Sequence, residues 1–350
     1  MKTEKRGLHR FLLILAFALL ILALAFLALA SPTDSREADE SASRANEGQW
    51  ESVSSSDWMA DIDGSLQLSR ISIPGSHDSC TQYVVLPLIG RCQDASIAQQ
   101  LSDGVRVLDI RLDASTGAGG NIALTLSHGP LECKAAPHLG SDALSFGEVL
   151  SQCRKFLSDH PTETIVLLVK HEHGSADAQQ IQDALLKCFG STDDLYTESG
   201  DPTLDEVRGK MVLLRRYGQA GDGLSGAFAG WEDQGGSQPA AQACESMDIG
   251  NGATLFVQDR YEYDAADKWA AFTDCLDRSP AGENALLLNY LSTKGSGSVG
   301  IPKKFAAQLN SEFIENDLLS GADYGCVMFD FVTEGLARHV FASNSFAAAK

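Results

Sequence analysis

The sequence predicts an α/β protein, a single domain folded as an irregular (β/α)8 TIM barrel, and three observations carry that prediction. Short apolar or β-branched runs recur throughout residues 53–350. Stretches with apolar residues at helical spacing separate most of them. Charged or titratable side chains stand at or just past the same end of seven of the eight runs. In a closed barrel that end is the C-terminal rim, where the loops that carry chemistry gather. A doubly wound open sheet would explain the alternation but not the one-sided charge.

The elements follow in order. Lys2, Lys5, Arg6 and Arg10 precede an unbroken apolar run from Phe11 to Ala30, which ends in Ala28-Leu29-Ala30 before Ser31. That is the layout of a secretory signal with a cleavage site. The run is also long enough to span a bilayer. Residues 1–30 are therefore expected to be a signal peptide or a signal anchor, with the rest either secreted or held at the outer face of the cell membrane. Residues 31–52 are rich in Ser, Glu, Asp and Ala and nearly lack large apolar groups, as in a flexible acidic linker. From about Val53 the texture is globular. The runs Arg70–Ile73, Val105–Ile110, Ile122–Leu126, Thr164–Val169, Met211–Leu214, Thr254–Val257, Ala285–Asn289 and Gly325–Phe329 read as strands. Ala95–Leu101, Ser145–Leu157, Ala176–Phe189, Asp264–Leu276 and Pro302–Leu318 read as helices, Pro302 suiting a first turn. The Gly-rich turn Ser115–Asn121 leaves no room for a helix between the second and third strands, so the barrel is irregular.

The formal charge of −20 argues against nucleic acid as a partner. A cleaved leader would take four positive charges and one negative away, leaving the exported part more acidic still. All eight cysteines follow the leader, none in a CxxC pair, which favours disulfides over a zinc site. Cys80–Cys92 would close the tightest loop; buried free thiols are the alternative.

At the strand ends stand His77 and Asp78, Asp109 and Arg111, His128, Lys170, Arg215 and Arg216, Asp259 and Tyr261, and Asp330. Asn289 and Tyr290 end the remaining strand and stay unassigned. Two histidines with carboxylates and an arginine suit cleavage of a phosphodiester. One imidazole takes a proton from an attacking hydroxyl while the other gives one to the leaving oxygen. A carboxylate behind an imidazole fixes its tautomer and supports its charge. A guanidinium holds the non-bridging oxygens, so no metal or other cofactor is needed. Of Arg215 and Arg216, the first should point away, since strand neighbours alternate.

These residues sit in strings that resemble one known family. Ile71-Ser72-Ile73-Pro74-Gly75-Ser76-His77-Asp78-Ser79, Arg106-Val107-Leu108-Asp109-Ile110-Arg111 and Leu126-Ser127-His128-Gly129-Pro130-Leu131 resemble the first three motifs of bacterial phosphatidylinositol-specific phospholipases C. The likeness continues, in order, through Pro161–Ile165, Leu168–Lys170, Leu213–Tyr217, Val257–Tyr261 and Phe329–Phe331. It implies a monomeric enzyme acting on phosphatidylinositol in membrane surfaces, with glycosyl-phosphatidylinositol anchors as further substrates. It implies His77 as general base partnered by Asp330, and His128 as general acid paired with Asp78. Arg111, supported by Asp109, would hold the phosphate; Lys170, Arg216 and Asp259 would bind inositol, and Tyr261 would stack on its ring. Calcium-dependent relatives place oxygen ligands where Arg111 stands, so no calcium is expected. A non-catalytic inositol-lipid-binding module and a metal-dependent glycerophosphodiesterase are the competing readings. The tryptophans typical of the family's docking surface are missing from Tyr83–Gly90 and Lys294–Ile301. Residues 84–89 either insert into lipid, held by a Cys80–Cys92 bridge, or pack as core.

Overall fold

The computed structural model describes residues 53–344, apart from 118–119, 139, 221–223, 225–226, 232, 236–243, 279–283, 298–299 and 317–324. The expected leader and linker lie outside the described residues. The strands are β1 (Ile73–Ser76), β2 (Val107–Thr116), β3 (Ile122–His128), β4 (Leu131–Glu132), β5 (Ile165–Gly174) and β6 (Leu195–Tyr196), followed by β7 (Met211–Arg216), β8 (Ala227–Phe228), β9 (Glu245–Gly250), β10 (Ala253–Gln258), β11 (Ala285–Tyr290) and β12 (Cys326–Phe329). The helices are α1 (Pro87–Gly90), α2 (Ile97–Ser102), α3 (Phe146–Asp159), α4 (Ala178–Phe189), α5 (Leu204–Val207), α6 (Ala265–Arg278), α7 (Pro302–Glu315) and α8 (Glu334–Phe341).

One curled sheet runs β6-β7-β5-β2-β1-β12-β11-β10-β9, with β3 and β4 branching from β2 and β8 pairing with β7. The ladders joining β7, β5, β2, β1, β12, β11 and β10 are all parallel. This is the expected barrel in irregular form, and among the described residues no ladder joins β8 to β9 across the seam. Capping explains where the long helices start. Ser145 and Asp177 accept from the third backbone N–H of α3 and α4, while Glu148 and Gln180 reach back.

Alternation along each strand separates two cores. Outward residues such as Leu108, Ile110, Leu167, Leu213 and Phe329 pack under the helices. Inward residues such as Ile73, Val107, Val166, Leu168, Val212, Leu214, Leu255, Leu288 and Met328 fill the barrel. Gly75 permits the closest approach inside: a Cβ there would stand 2.3 Å from Met328 Sδ and 2.9 Å from Val107 Cβ. The next inward position on each strand is a polar residue of the mouth: His77, Asp109 and then Arg111, Lys170, Arg216, Asp259, Tyr290 and Asp330. Apolar below and ionisable above, on one face, is the pattern that the strand ends show in sequence.

At the other end of the barrel the segment from Val53 to Ile62 closes the floor. Trp58 stacks on Phe341 at 5.2 Å and donates to Gly104 O. Arg106 and Glu163, both fully buried, pair at 2.8 Å, and Glu163 accepts from Met59 N while Arg106 donates to Ser56 O.

The structure corrects four expectations. The first strand lies three residues later than expected, because Leu68–Arg70 is a 3-10 turn and the apolar spacing of Ile71 and Ile73 mimics a longer strand. β3, expected as a barrel strand, is antiparallel to β2 and stands outside the barrel. The barrel edge is completed by β9, which the sequence reading missed because its polar residues Glu245, Ser246 and Asp248 hide it. Among the described residues no two cysteines are joined as a disulfide. Cys80 lies in the outer core with Cys133 and Cys153, while the Cys92 thiol turns to Asp330, so the expected Cys80–Cys92 bridge is absent.

Candidate active site

Three strands set the centre of the mouth. β1 and β12 run in register to Ser76 and Phe329, which puts His77 and Asp330 side by side just past the last rung. His77 Nδ1 lies 2.7 Å from Asp330 Oδ1, so the ring donates there and presents Nε2 to the cavity. Burial and the Arg111 charge press this imidazole's pKa down, but Asp330 and Asp78 outweigh them and the net shift is upward. The edge of the Tyr290 ring meets the His77 ring at 5.9 Å. His128, at the end of β3, enters from the hairpin outside the barrel, its Nδ1 donating to Gly90 O at 2.7 Å.

Asp78 stands between the two imidazoles. Its Oδ2 is 3.7 Å from His77 Nε2 and 3.6 Å from His128 Nε2, and its Oδ1 is 3.4 Å from Arg111 Nε. The expected pairing of His128 with Asp78 is thus a charge contact shared with His77, not a hydrogen bond. Burial raises the Asp78 pKa despite the guanidinium and the two imidazoles beside it. Asp109 accepts from Arg111 Nε at 3.1 Å and from Asp78 N at 3.2 Å. Against the desolvation of a fully buried site, Arg111 holds Asp109 down at about 2.

The cations form a row. Arg111 on β2 is in register with Lys170 on β5, and Lys170 with Arg216 on β7. Each has its own carboxylate: Asp109 for Arg111, Glu172 at 2.5 Å from Lys170 Nζ, and Asp259 at 3.3 Å from Arg216. Arg216 also sits over the Trp231 ring, its Cζ 3.7 Å from the ring centroid, and Trp231 Nε1 donates to Asp259 Oδ2 at 3.0 Å. Tyr261 donates to Asp233 Oδ1 at 2.6 Å; burial and that carboxylate raise its phenol pKa. Arg215 points outward to Gln182, as strand alternation requires.

Every expected site residue is therefore in the mouth, and several residues were missed. Glu172 accepts from Gly129 N at 3.1 Å and lies 3.7 Å from Arg111, linking the cation row to the loop after His128. Arg111 and Lys170 hold its carboxyl at about 2 against burial. Trp231 and Asp233 come from the stretch between β8 and β9, where the sequence shows no strand-end signal. Asn289 belongs to a buried network with Gln258 and Lys268 rather than to the mouth.

His77, Asp78 and Cys92 offer ligand atoms within 4.8 Å of one another, the one such group among the described residues. The guanidinium on Asp78 sets a fixed positive charge against a cation there, and Nδ1 of His77 is committed to Asp330. The residues fit hydrogen bonding better than metal binding.

On the rim above His128, Val84 is buried, but Val85 and Leu86 are 37% and 56% exposed. They begin the turn into α1, which ends at Gly90. Neither expectation for residues 84–89 holds for the whole stretch: its first residue is core and the next two project into solvent.

A parallel barrel whose mouth joins two imidazoles, a guanidinium and buried carboxylates has the groups that acid–base cleavage of a phosphodiester uses. Residues 67–217 match the family described as phosphatidylinositol-specific phospholipase C, X domain. The 1-phosphatidylinositol phosphodiesterase of Staphylococcus aureus (strain Newman) is 28% identical over 295 residues, 80% of this chain and 89% of that protein. The enzyme of the same name from Listeria monocytogenes is 24% identical over 312 residues, 84% of this chain and 87% of that one. A crystal structure of a mutant of the Staphylococcus aureus phosphatidylinositol-specific phospholipase C superposes with a TM-score of 0.70 at 25% identity, covering 84% of this chain and 97% of that one. Residues 67–217 thus carry the likeness to the phosphatidylinositol-specific phospholipase C X domain, and the chain is similar to the bacterial enzymes over most of its length.

Proposed function

We propose that this enzyme cleaves phosphatidylinositol by attack of the inositol 2-hydroxyl on phosphorus, giving inositol 1,2-cyclic phosphate and diacylglycerol. One observation carries the reading: the two Nε2 atoms and the Arg111 guanidinium all border Asp78, within 3.4 to 3.7 Å of its two oxygens. Neutral His77 takes the hydroxyl proton at Nε2 as the new oxygen–phosphorus bond forms. Asp330, bonded to Nδ1, favours the imidazolium that results. The bond to the diacylglycerol oxygen breaks, and that oxygen takes the proton from His128 Nε2. Arg111 neutralises charge on the non-bridging oxygens, held in place by Asp109. In a slower second step His128 activates water and His77 returns its proton, opening the cyclic phosphate.

Lys170, Arg216 and Asp259 lie where the inositol hydroxyls would meet donors and an acceptor, with Tyr261 as a ring platform. Val85 and Leu86 are the apolar surface we assign to lipid contact. Glycosyl-phosphatidylinositol anchors present the same phosphodiester and are a second substrate. The enzyme acts outside the cytoplasm, delivered by residues 1–30, and as a monomer. Among the described residues no helix is long and apolar enough to cross a membrane.

The test is purified protein on phosphatidylinositol vesicles with excess chelator, followed by phosphorus NMR. The cyclic phosphate is expected as first product, and its absence under chelation sinks the metal-independent reading. His77→Ala and His128→Ala should each lower kcat by roughly a hundredfold or more.

A further inference from the structure

Directly after the exposed turn, residues Gly90–Gln93 run behind the mouth and touch the supports of both imidazoles. Gln93 is fully buried. Its Nε2 donates to His77 O and to Phe329 O, each at 2.8 Å, and its Oε1 accepts from Val332 N at 3.1 Å. The β1–β12 ladder has its last rungs at Ser76–Phe329 and His77 N→Phe329 O. Beyond that point the Gln93 side chain continues the ladder, and its two N–H groups and one carbonyl match two carbonyls and an N–H. The three partners are His77 itself and Phe329 and Val332, on either side of Asp330.

The neighbours of Gln93 work in the same direction. Phe331, next to Asp330, has a positive φ of 50, a strained setting for a bulky residue. Its N–H donates to Cys92 O at 2.6 Å, which holds that turn. Thr81 Oγ1 accepts from the N–H groups of Cys92 and Gln93 and donates to Asp78 O, tying the segment to the loop of Asp78. Gly90 serves the other imidazole. Its carbonyl takes the Nδ1 proton of His128, and a Cβ at position 90 would come within 2.7 Å of Leu131 Cδ1, so glycine lets the carbonyl approach.

We infer that Gly90–Gln93 is a positioning strap for the acid–base pair: Gln93 holds His77 against Asp330, and the Gly90 carbonyl fixes the tautomer of His128. A buried glutamine that merely satisfies the fold would contribute stability and nothing to the chemistry of His77. The inference rests on the proposed reaction for its meaning, but its test does not depend on turnover alone.

The groups facing His77 are Asp330, Asp78, Asp109, Arg111, the Cys92 thiol and the Tyr290 ring. Of these Asp330 is the largest upward influence, so loosening it should lower the His77 titration midpoint. The experiment is a proton NMR titration of the His77 ring in Gln93→Met, which removes all three bonds, and in Gln93→Asn, which keeps the amide but is one methylene too short to reach its partners and adds no charge. Gln93→Asn carries the test if Gln93→Met fails to fold. The midpoint is expected to fall in both, kcat to drop roughly tenfold to a hundredfold with KM nearly unchanged, and Gln93→Met to add no shift in an Asp330→Asn background. Gly90→Ala should lower kcat without moving His77, and Leu131→Ala in the same chain should restore it by making room. A His77 titration identical to wild type in the Gln93 variants, or wild-type kcat in Gly90→Ala, overturns the strap. Failure of the wild type to cleave phosphatidylinositol would instead overturn the proposed reaction, with the titration still deciding the role of Gln93.

Discussion

At Asp78 the backbone turns into the left-handed region (φ 46), and the carboxylate is set between two imidazoles and a guanidinium with almost no access to water. Burial raises its pKa, so holding a charge at this position costs stability. Strain and desolvation at one residue mark a position kept for chemistry at the expense of stability. Asparagine has the same shape, tolerates a positive φ and carries no charge. Asp78→Asn is therefore expected to melt at the same temperature as wild type or higher, while kcat falls by roughly a hundredfold. Asp78→Val loses the same charge but is β-branched at a left-handed position, and should lose on the order of 1–3 kcal/mol of stability. Calorimetry beside steady-state kinetics separates the two; a destabilised Asp78→Asn would show that the carboxylate serves the fold.

Among the elements, the turn into α1 makes the most exposed apolar surface described, and it holds Leu86 at φ 55. Withdrawing a large apolar side chain from water is worth about 1.5–3 kcal/mol. Val85→Ser with Leu86→Ser should therefore reduce activity on vesicles roughly tenfold or more. Activity on water-soluble inositol cyclic phosphate should not change, and because both side chains are exposed the stability cost should stay within about 0.5 kcal/mol each. Equal losses on both substrates would move the effect from the surface to the mouth. The elements also show what the sequence made legible. Apolar strands ending in single charges gave away His77, Arg111, Lys170, Arg216, Asp259 and Asp330, because alternation puts the residue after the inward apolar pair on the same face. Glu172 stayed hidden because β5 continues five residues past its expected end at Val169, paired with a β2 that is equally long. Gln93, Gly90, Trp231 and Asp233 stayed hidden for another reason. They act from loops, and only the folded path of the chain brings them to the site. Buried Lys268, pressed down to about 7 by desolvation, reads in sequence as one more exposed helix residue.

For the molecule as a whole, the barrel has two functional ends with opposite electrostatic designs. The mouth interleaves cations and carboxylates around a cavity, whereas the floor buries one pair, Arg106 with Glu163. Burial pushes the Glu163 pKa up and the Arg106 pKa down, so neither charge is comfortable without the other. Removing one partner should cost about 3–5 kcal/mol. Arg106→Ala and Glu163→Ala should accordingly lower the unfolding midpoint strongly while the folded fraction keeps its kcat, as denaturant titration with parallel rate measurement would reveal. A lost kcat at full foldedness would instead couple the floor to the mouth. The floor is also where Val53 meets the barrel: its carbonyl accepts from Arg338 of α8, and the adjoining Ser56 and Met59 hold Arg106 and Glu163 at the N-terminal ends of β2 and β5. A tag, fluorophore or surface tether joined ahead of Val53 would thus attach at the pole remote from the catalytic opening. A preparation immobilised by that end would face its active surface outward, toward a bilayer presented from solution.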